Sequence, residues 1–218
     1  MSADRTQLQT GATTLGTPIS DAQADTLLAY LALLQRWNAV YNLTAIRDPQ
    51  QMLVQHLLDS LSVLAPLDRH RATLGAPAIR LLDVGSGGGL PGVVVAVLRP
   101  DVAVTCVDTV GKKATFIRQV AAELRLPNLQ ARHARVEELK DPPFDVITAR
   151  AFASLADLVR LTRALLAPGA CWMAMKGQHP QTEIDALPAD VTVFHVEPLK
   201  VPQLDAERCL IWMRPATV

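Results

Sequence analysis

An aspartate followed by a run of glycines is the stretch with the most specific chemistry. Asp83 lies in an apolar run over residues 79–84, and glycines follow at 85, 87, 88, 89 and 92. A strand that enters a glycine turn and then a helix is the first unit of many nucleotide-binding α/β sheets. Glycines let the backbone approach a ligand closely, and free N–H groups at the helix start favour an anionic or polar group. This stretch therefore predicts a nucleotide-like cofactor.

Two further acids follow later strands. Asp108 ends the apolar run 102–108, where a carboxylate can take both ribose hydroxyls of an adenosine, or can cap the next helix. Val136 and Glu137 fall after the third predicted strand, where an adenine would lie. Glu137 either accepts from an amino group or is a solvent-facing acid at a helix start. Asp83 is expected to accept hydrogen bonds within the loop or, through water, from a cofactor ammonium.

The cofactor class depends on the frame of the glycines. Gly87, Gly89 and Gly92 match the dinucleotide fingerprint literally, but such a match alone is weak. Asp83 precedes the first glycine, and Pro91 interrupts the frame that would surround a pyrophosphate. These features favour S-adenosylmethionine over nicotinamide or flavin dinucleotides.

Basic residues near the predicted ligand edge are candidates for phosphate contacts. Arg150 follows the strand 144–149 and can bind RNA phosphate, stack on a base, orient the cofactor, or pair with an acid such as Asp83 or Glu137. Lys176 ends the fifth strand at the same edge. Residues 111–135 form either a phosphate-contacting edge or a solvated helix face, with Glu123 as the single acid. The basic residues there are Lys112, Lys113, Arg118, Arg125, Arg132 and Arg135.

His56 and Asp59 lie one helical turn apart in the N-terminal part of the chain. They are either a surface pair or part of a helix that closes one wall of the site, with Tyr41 and Asn42 nearby. The three cysteines are far apart in apolar runs and have no paired metal spacing, which indicates buried reduced thiols and no metal site.

The sequence from Asp141 to Phe144 reads Asp-Pro-Pro-Phe, the motif of amino-group methyltransferases that act on adenine or cytosine. In those enzymes it follows the fourth strand. Here it precedes residues 144–149, so we interpret it as the turn that enters this strand.

Strands and helices alternate from residue 79 onwards and predict an α/β sheet. A proline-containing loop without a helix joins the last two strands, so they are expected to be antiparallel. The predicted strands are 79–84, 102–108, 129–133, 144–149, 170–176, 191–196 and 208–213.

The N-terminal part is predicted to be helical. Ser20 and Gln23 form a capping box, and Asp48 with Pro49 starts a second helix. Residues 66–78 contain Pro66, Gly75 and Pro77 and are predicted to form a turn or linker. The predicted division is a flexible N-terminus over 1–18, a helical extension over 19–76 that packs on the core, and a catalytic α/β domain over 77–218.

Bulk composition adds little about partners. The chain has 218 residues, half of them apolar, with 21 basic and 21 acidic residues. A net charge of zero indicates that any nucleic-acid surface is local. The sequence shows neither a signal peptide nor an apolar run long enough to span a membrane, so we expect a soluble cytoplasmic protein.

The sequence resembles the bacterial methyltransferase G family of small-subunit ribosomal RNA, also called glucose-inhibited division protein B, within the class I S-adenosylmethionine-dependent methyltransferases. Its similarity runs from about residue 20 to 213. The matching stretches are Trp37-Asn38, Tyr41–Thr44, His56–Ser60, Asp83–Gly92, Asp108 with Gly111–Lys113, Arg135–Glu138, Phe144-Asp145, Arg150–Ser154 and Lys176-Gly177. Gly88 makes the glycine run richer than is usual for this family, which is expected to loosen the loop without changing its role.

The resemblance implies a Rossmann-like, mostly parallel seven-stranded sheet and methylation of guanine N7 in a decoding-region loop of 16S ribosomal RNA. We expect a monomer that acts on the small subunit or a late precursor. Its implied cofactor contacts are Gly85, Leu90, Asp108, Val136, Glu137 and Arg150, to which we add Asp83, Gly87 and Gly89 from the loop itself. The RNA-contact candidates are Lys112, Lys113, Arg118, Arg135, Lys176 and His56.

The chemistry agrees with this resemblance. Guanine N7 carries a free lone pair, so its methylation needs positioning of the base and no general base. Carbon methylation of pyrimidines would usually need a cysteine nucleophile, and these cysteines lie within strands. An amino-group methyltransferase, a nicotinamide-dependent oxidoreductase and a non-catalytic RNA-binding assembly factor stay open as alternatives.

Overall fold

The computed structural model describes residues 3–75 and 78–216. Its centre is a seven-stranded sheet of order β3-β2-β1-β4-β5-β7-β6. The strands are β1 (Ile79–Val84), β2 (Val102–Asp108), β3 (Leu129–His133), β4 (Phe144–Arg150), β5 (Leu166–Lys176), β6 (Val191–Pro198) and β7 (Cys209–Pro215). β1 to β5 pair in parallel, whereas β7 is antiparallel to both β5 and β6. The predicted α/β sheet and its antiparallel terminal hairpin are confirmed.

Helices cover the sheet and complete the N-terminal part. They are α1 (Ala3–Thr14), α2 (Asp21–Tyr41), α3 (Pro49–Met52), α4 (Asp59–Leu61), α5 (Leu64–Leu74), α6 (Gly92–Leu98), α7 (Gly111–Glu123), α8 (Leu155–Thr162) and α9 (Gln181–Asp185). A π-helical segment, Leu53–Leu58, joins α3 to α4. One apolar cluster combines leucines of the N-terminal helices with β1, β2 and α6, so the extension packs directly on the sheet.

Local sequence signals set the starts of the N-terminal helices. The Ser20 side chain accepts from the N–H of Gln23, and the Gln23 side chain accepts in return from the N–H of Ser20. Asp48 caps α3 by accepting from the N–H of Gln51, with Pro49 at the first helical position. Both predicted caps are confirmed.

The expected flexible N-terminus is wrong for residues 3–14, which form α1. Leu8 and Ala12 lie four residues apart and are fully buried, so one face of this polar helix packs on the core. Gly11 allows the close approach, because a Cβ at this position would lie 2.5 Å from a methyl carbon of Leu58. Tertiary packing forms a helix here that composition alone does not predict.

The turn expected over residues 66–78 is also wrong in most of its length, because α5 occupies Leu64–Leu74. Pro66 lies in the first turn of this helix, where backbone N–H groups have no partner within the helix, so its missing N–H costs no helical hydrogen bond. Gly75 ends the helix in a left-handed conformation with φ of 62°. Pro77 and the expected domain boundary at 76–77 lie outside the described residues.

Within residues 3–75 and 78–216, none of the helices is both long and apolar enough to cross a membrane. The same residues contain no group of histidine, cysteine and acidic side chains arranged to hold a metal ion.

Candidate functional site

The glycine loop turns sharply at the end of β1. Gly85 has a φ of +63°, and a Cβ there would lie 2.6 Å from Cδ2 of Phe152. The N–H groups of Gly85 and Ser86 donate to the carbonyl of Val107 at 2.9 and 3.3 Å, which ties the loop to β2. At the helix start, a Cβ on Gly92 would lie 2.9 Å from Oδ2 of Asp83. The loop therefore needs glycine at both of its ends.

Asp83 supports this loop from below. Its side chain is fully buried, and Oδ2 accepts from the N–H of Gly92 at 2.8 Å. The expected hydrogen bond within the loop is thus confirmed. Oδ1 is buried without a hydrogen-bond partner. Burial raises the pKa of this carboxyl to about 7.

One cavity of about 790 Å³, the Asp108 pocket, opens beside the loop. It is lined by Gly85, Asp108, Val136, Glu137 and Phe152, among others. The four cofactor candidates among these residues thus meet at one place.

Asp108 closes one side of this pocket through two backbone contacts. Its Oδ2 accepts from the N–H of Gly87 at 3.0 Å, and its Oδ1 accepts from the N–H of Val110 at 2.8 Å. The same carboxylate therefore fixes the glycine loop and the approach to α7, and its remaining lone pairs can accept ribose hydroxyls.

A second cavity of about 550 Å³, the Arg150 pocket, lies on the other side of the loop. Gly85 and Lys113 line both cavities, so the two adjoin at the glycine loop. The second cavity is also lined by Leu34, Leu43, Thr44, Gln55, His56, Asp59, Gly87, Leu90, Arg150, Lys176 and Arg208.

A buried carboxylate organises the cations of this second pocket. Asp59 Oδ2 accepts from Arg150 Nη1 at 3.1 Å, and Asp59 Oδ1 accepts from Arg208 Nε at 2.8 Å. Arg150 Nη1 also donates to the carbonyl of Gln55 at 3.0 Å. The predicted ion pair of Arg150 with a nearby acid is confirmed, but the acid is Asp59 and not Asp83 or Glu137, because the end of β4 faces the N-terminal helices.

His56 and Asp59 do not form a surface pair, since their residues are only 6% and 2% exposed. His56 Nε2 lies 3.1 Å from Thr44 Oγ1. Burial, and secondarily the charge of Arg150, lowers the pKa of His56 to about 4, so the ring is neutral at pH 7. Both residues line the Arg150 pocket, as the alternative prediction of a wall of the site requires.

The side chains of five of the six residues of the predicted basic edge already contact groups of the protein itself; Arg125 is the exception among the side-chain contacts of the described residues. Lys113 Nζ lies 3.6 Å from Asp108 Oδ2, while Lys112 Nζ donates to the carbonyl of Tyr41 at 2.6 Å. The other candidates bind nearby groups: Arg118 the Ala131 carbonyl, Arg135 the Glu137 carboxylate, Lys176 the Glu183 carboxylate and Arg132 the Asp141 carboxylate. Lys113 thus belongs to both pockets, and RNA contacts of the group stay a prediction.

The amino-group motif lies where the sequence places it, before β4. Asp141 pairs with Arg132, and the Pro142 and Pro143 carbonyls accept from Arg80. Residues 141–143 line neither pocket. The interpretation as an entry turn is confirmed.

The cysteines are free and buried, as predicted. Burial raises the pKa of Cys171 to about 12 and also raises those of Cys106 and Cys209. All three are therefore thiols at neutral pH and weak nucleophiles.

Two residues of the site were missed by sequence reasoning. Arg208 follows a surface loop far along the chain, and its place as the first residue of the last predicted strand was the only hint of a role. Tyr30 is fully buried in α2, and its hydroxyl donates to the carbonyl of Gly88 at 2.8 Å. Gly88 also lies against Leu34, so α2 holds the loop at the position where the sequence predicts loosening.

Comparison with known proteins shows the family of this chain. Residues 23–211 match the family described as GidB, rRNA small subunit methyltransferase G. The ribosomal RNA small subunit methyltransferase G of Leptothrix cholodnii is 75% identical over 100% of this chain and 99% of its own. The enzyme of the same name from Methylibium petroleiphilum is 62% identical over 94% of this chain and 92% of its own.

Solved structures with the same fold are much more distant in sequence. The [4+2]-cyclase SpnF has a TM-score of 0.60 at 16% identity, covering 90% of this chain and 97% of its own. TrmN from Thermus thermophilus has a TM-score of 0.55 at 22% identity, covering 72% of this chain and 48% of its own. At these identities the likeness concerns the fold alone. The family match and the close relatives span nearly the whole chain, and the chain therefore belongs to the rRNA small subunit methyltransferase G family.

Proposed function

We propose that this protein transfers a methyl group from S-adenosylmethionine to N7 of a guanine in a decoding-region loop of 16S ribosomal RNA. The observation that carries the proposal is the meeting of two pockets at one glycine loop, in a chain of this family. We infer that it acts as a cytoplasmic monomer on the small subunit or a late precursor.

The Asp108 pocket suits the adenosine part of the cofactor. Asp108 offers acceptors for the ribose hydroxyls, and Val136 with Glu137 forms the wall for the adenine. The bare backbone at Gly85, with Gly87, Gly89, Leu90 and the supporting Asp83, leaves room beside the loop for the methionine part. When bound, the cofactor supplies an electrophilic methyl group.

The Arg150 pocket suits the target nucleotide. Guanine N7 needs no proton removed, so the contribution of the protein is to hold the base in line with the methyl group. Asp59 fixes the guanidinium of Arg150, which orients the base or the cofactor. His56 is neutral here and adds no charge beside a guanine that becomes cationic on methylation.

We further infer the parts of the chain that serve each task. Residues 19–76 are a helical extension that supplies the wall of the acceptor pocket, and residues 77–218 are the methyltransferase domain. The proposed RNA contacts are Lys112, Lys113, Arg118, Arg135, Lys176 and His56. Arg118, Arg135 and Lys176 would have to exchange their present partners for phosphate, or bind it together with them.

Locating the modified nucleotide tests this function. Small subunits from cells that lack the protein are incubated with purified protein and labelled S-adenosylmethionine, and the methylated nucleoside is mapped by mass spectrometry. We expect N7-methylguanosine in 16S ribosomal RNA. N6-methyladenosine would show an amino-group methyltransferase, and binding without methyl transfer would show an assembly factor.

Titration with S-adenosylhomocysteine and with NADH tests the cofactor class on the same preparation. Saturable binding of S-adenosylhomocysteine is expected. Binding of NADH alone would contradict the proposal.

A further inference from the structure

An apolar surface patch lies where α2 ends and α7 begins, close in sequence to residues that line both pockets. We call Val40, Tyr41, Val110 and Lys112 the α2–α7 patch. Of the large hydrophobic residues that the structure describes as exposed, three of four belong to it: Val40 at 69%, Tyr41 at 43% and Val110 at 37%. Lys112 joins the two helix ends through its bond to the Tyr41 carbonyl. Clustered exposed apolar side chains indicate an interaction site more than scattered ones do.

The Tyr41 ring is held in place from beneath. Its centroid lies 4.9 Å from that of Trp37, which in turn lies 5.5 Å from the ring of buried Phe116. A series of three rings therefore connects the surface to the core. An exposed ring fixed in this way can stack on a partner without first losing its own conformational freedom.

Three cations are linked to the patch by contact or by sequence. Lys112 is exposed, Arg36 has a side chain 72% exposed with Glu123 at 3.9 Å, and Arg47 donates to Asn42 Oδ1 at 2.7 Å. Of the neighbouring acids, Glu123 pairs with Arg36, Asp108 pairs with Lys113, and Asp48 caps α3. Lys112 and Arg47 form no ion pair with the residues that the structure describes. This charge balance favours a polyanion.

The patch continues into the site already described. Val110 lines the Asp108 pocket, and Lys113, next to Lys112, lines both pockets. Leu43 and Thr44, shortly after Tyr41, line the Arg150 pocket. A strand that presents a base to the Arg150 pocket would thus pass over the patch.

We propose that the α2–α7 patch stacks an unpaired RNA base that neighbours the methylated nucleotide, with the Tyr41 ring as the platform. The inference rests on the proposed function and adds a binding subsite to it. Single-stranded RNA is typically bound by aromatic rings for its bases beside cations for its backbone. A folded protein partner would need a broader apolar contact than this patch offers.

Kinetics on small subunits from cells that lack this protein test the platform. Tyr41→Ala is expected to raise KM for the subunits about tenfold, because one base stack is lost. Tyr41→Phe keeps the ring and is expected to retain the wild-type KM. Both variants should bind S-adenosylhomocysteine as tightly as wild type.

Phe194→Ala is the matched control. Phe194 is also exposed, at 38%, and has a cation nearby, with Arg214 5.2 Å from its ring centroid, but it lines neither pocket. This variant is expected to keep the wild-type KM. An unchanged KM in Tyr41→Ala, or an equal rise in Tyr41→Phe or Phe194→Ala, overturns the proposal.

Crosslinking identifies what covers the patch. A benzophenone-bearing amino acid at position 41 is irradiated in the presence of the same small subunits. Crosslinks to 16S ribosomal RNA support the platform, whereas crosslinks to a ribosomal protein only, or none, overturn it. If the wild-type protein itself transfers no methyl group to these subunits, the proposed function fails. If the wild-type protein is active and Tyr41→Ala has the same KM as wild type, the proposed function stands and the platform fails.

Discussion

Arg150 and Asp59 form an ion pair of 3.1 Å between Nη1 and Oδ2, across a sequence separation of 91 residues. Asp59 comes from the N-terminal helices and Arg150 from the end of β4, so the pair joins the extension to the ligand edge of the sheet. Arg208, 149 residues from Asp59 in the sequence, binds the other carboxylate oxygen. One buried acid therefore fixes two cations in the pocket proposed for the RNA base.

Replacing Asp59 by asparagine is expected to disturb both arginines. One amide N–H₂ would face a guanidinium, leaving donors opposed in a buried site. We expect a loss of about 2 kcal/mol in the free energy of unfolding and a fall of at least about tenfold in kcat/KM for small subunits, measured where the variant is still folded by circular dichroism.

Asp190→Asn serves as the control for Asp59→Asn. The pair of Asp190 with Arg163 is largely exposed, with side chains 63% and 39% accessible, so its loss should cost less than about 0.5 kcal/mol. A wild-type denaturation midpoint and activity in Asp59→Asn would contradict the role assigned to this acid.

Asp108→Ala is expected to weaken the binding of S-adenosylhomocysteine by more than about tenfold in calorimetric titration. The change removes the ribose acceptor and also the anchors for the N–H groups of Gly87 and Val110. Asp101→Ala, just before the other end of the same strand, is the control and should bind as wild type. Equal affinity of Asp108→Ala and wild type for S-adenosylhomocysteine would contradict the assignment of the Asp108 pocket to the cofactor.

Lys112 and Lys113 are expected to differ, although sequence reasoning treats them alike. Lys113 Nζ lies 3.6 Å from Asp108 Oδ2. Lys113→Ala should therefore weaken the binding of S-adenosylhomocysteine about threefold to tenfold, the size expected for the loss of a partly exposed ion pair. Lys112→Ala should leave this affinity unchanged and reduce the salt dependence of KM for small subunits by about one unit of slope. Identical cofactor affinities in the two variants would show that Lys113 does not contribute to cofactor binding.

The stability of the fold should depend on pH through Asp83. Its pKa is raised from 3.8 to about 7 by burial, so between these values the folded chain binds more protons than the unfolded chain. The contribution of Asp83 is therefore greatest in acid and is lost as pH rises from about 4 to about 7. Asp83→Asn lacks this dependence while keeping an acceptor for Gly92.

Urea denaturation at several pH values measures this difference. The stability of wild type relative to Asp83→Asn should decline from pH 5 to pH 8. His56, whose lowered pKa acts in the opposite direction, is present in both proteins and cancels from the comparison. Parallel pH profiles would show that the Asp83 carboxyl keeps an ordinary pKa in the folded state.

Much of the sheet was predictable from local pattern. β1, β2 and β3 begin and end at the predicted residues, because each is a short strand bounded by turn-forming or polar sequence. The polar α1 was not predictable, since its helical form depends on packing Leu8 against the remainder of the core. The same holds for α5, where Pro66 indicates a break unless its place in the first turn is known.

The sequence by itself determined the glycine loop, the acids at the ends of β1 and β2, and hence the nucleotide-like pocket, because these residues lie in consecutive local elements. The tertiary structure alone decided which groups share the second pocket. Asp59, Arg150 and Arg208 converge only when the N-terminal helices dock against the carboxyl ends of the strands. Likewise, the Tyr30 hydroxyl donates to the Gly88 carbonyl only because α2 packs against the glycine loop. Contacts between residues so far apart depend on the burial of whole helix faces, and local sequence patterns carry no information about such distant pairings.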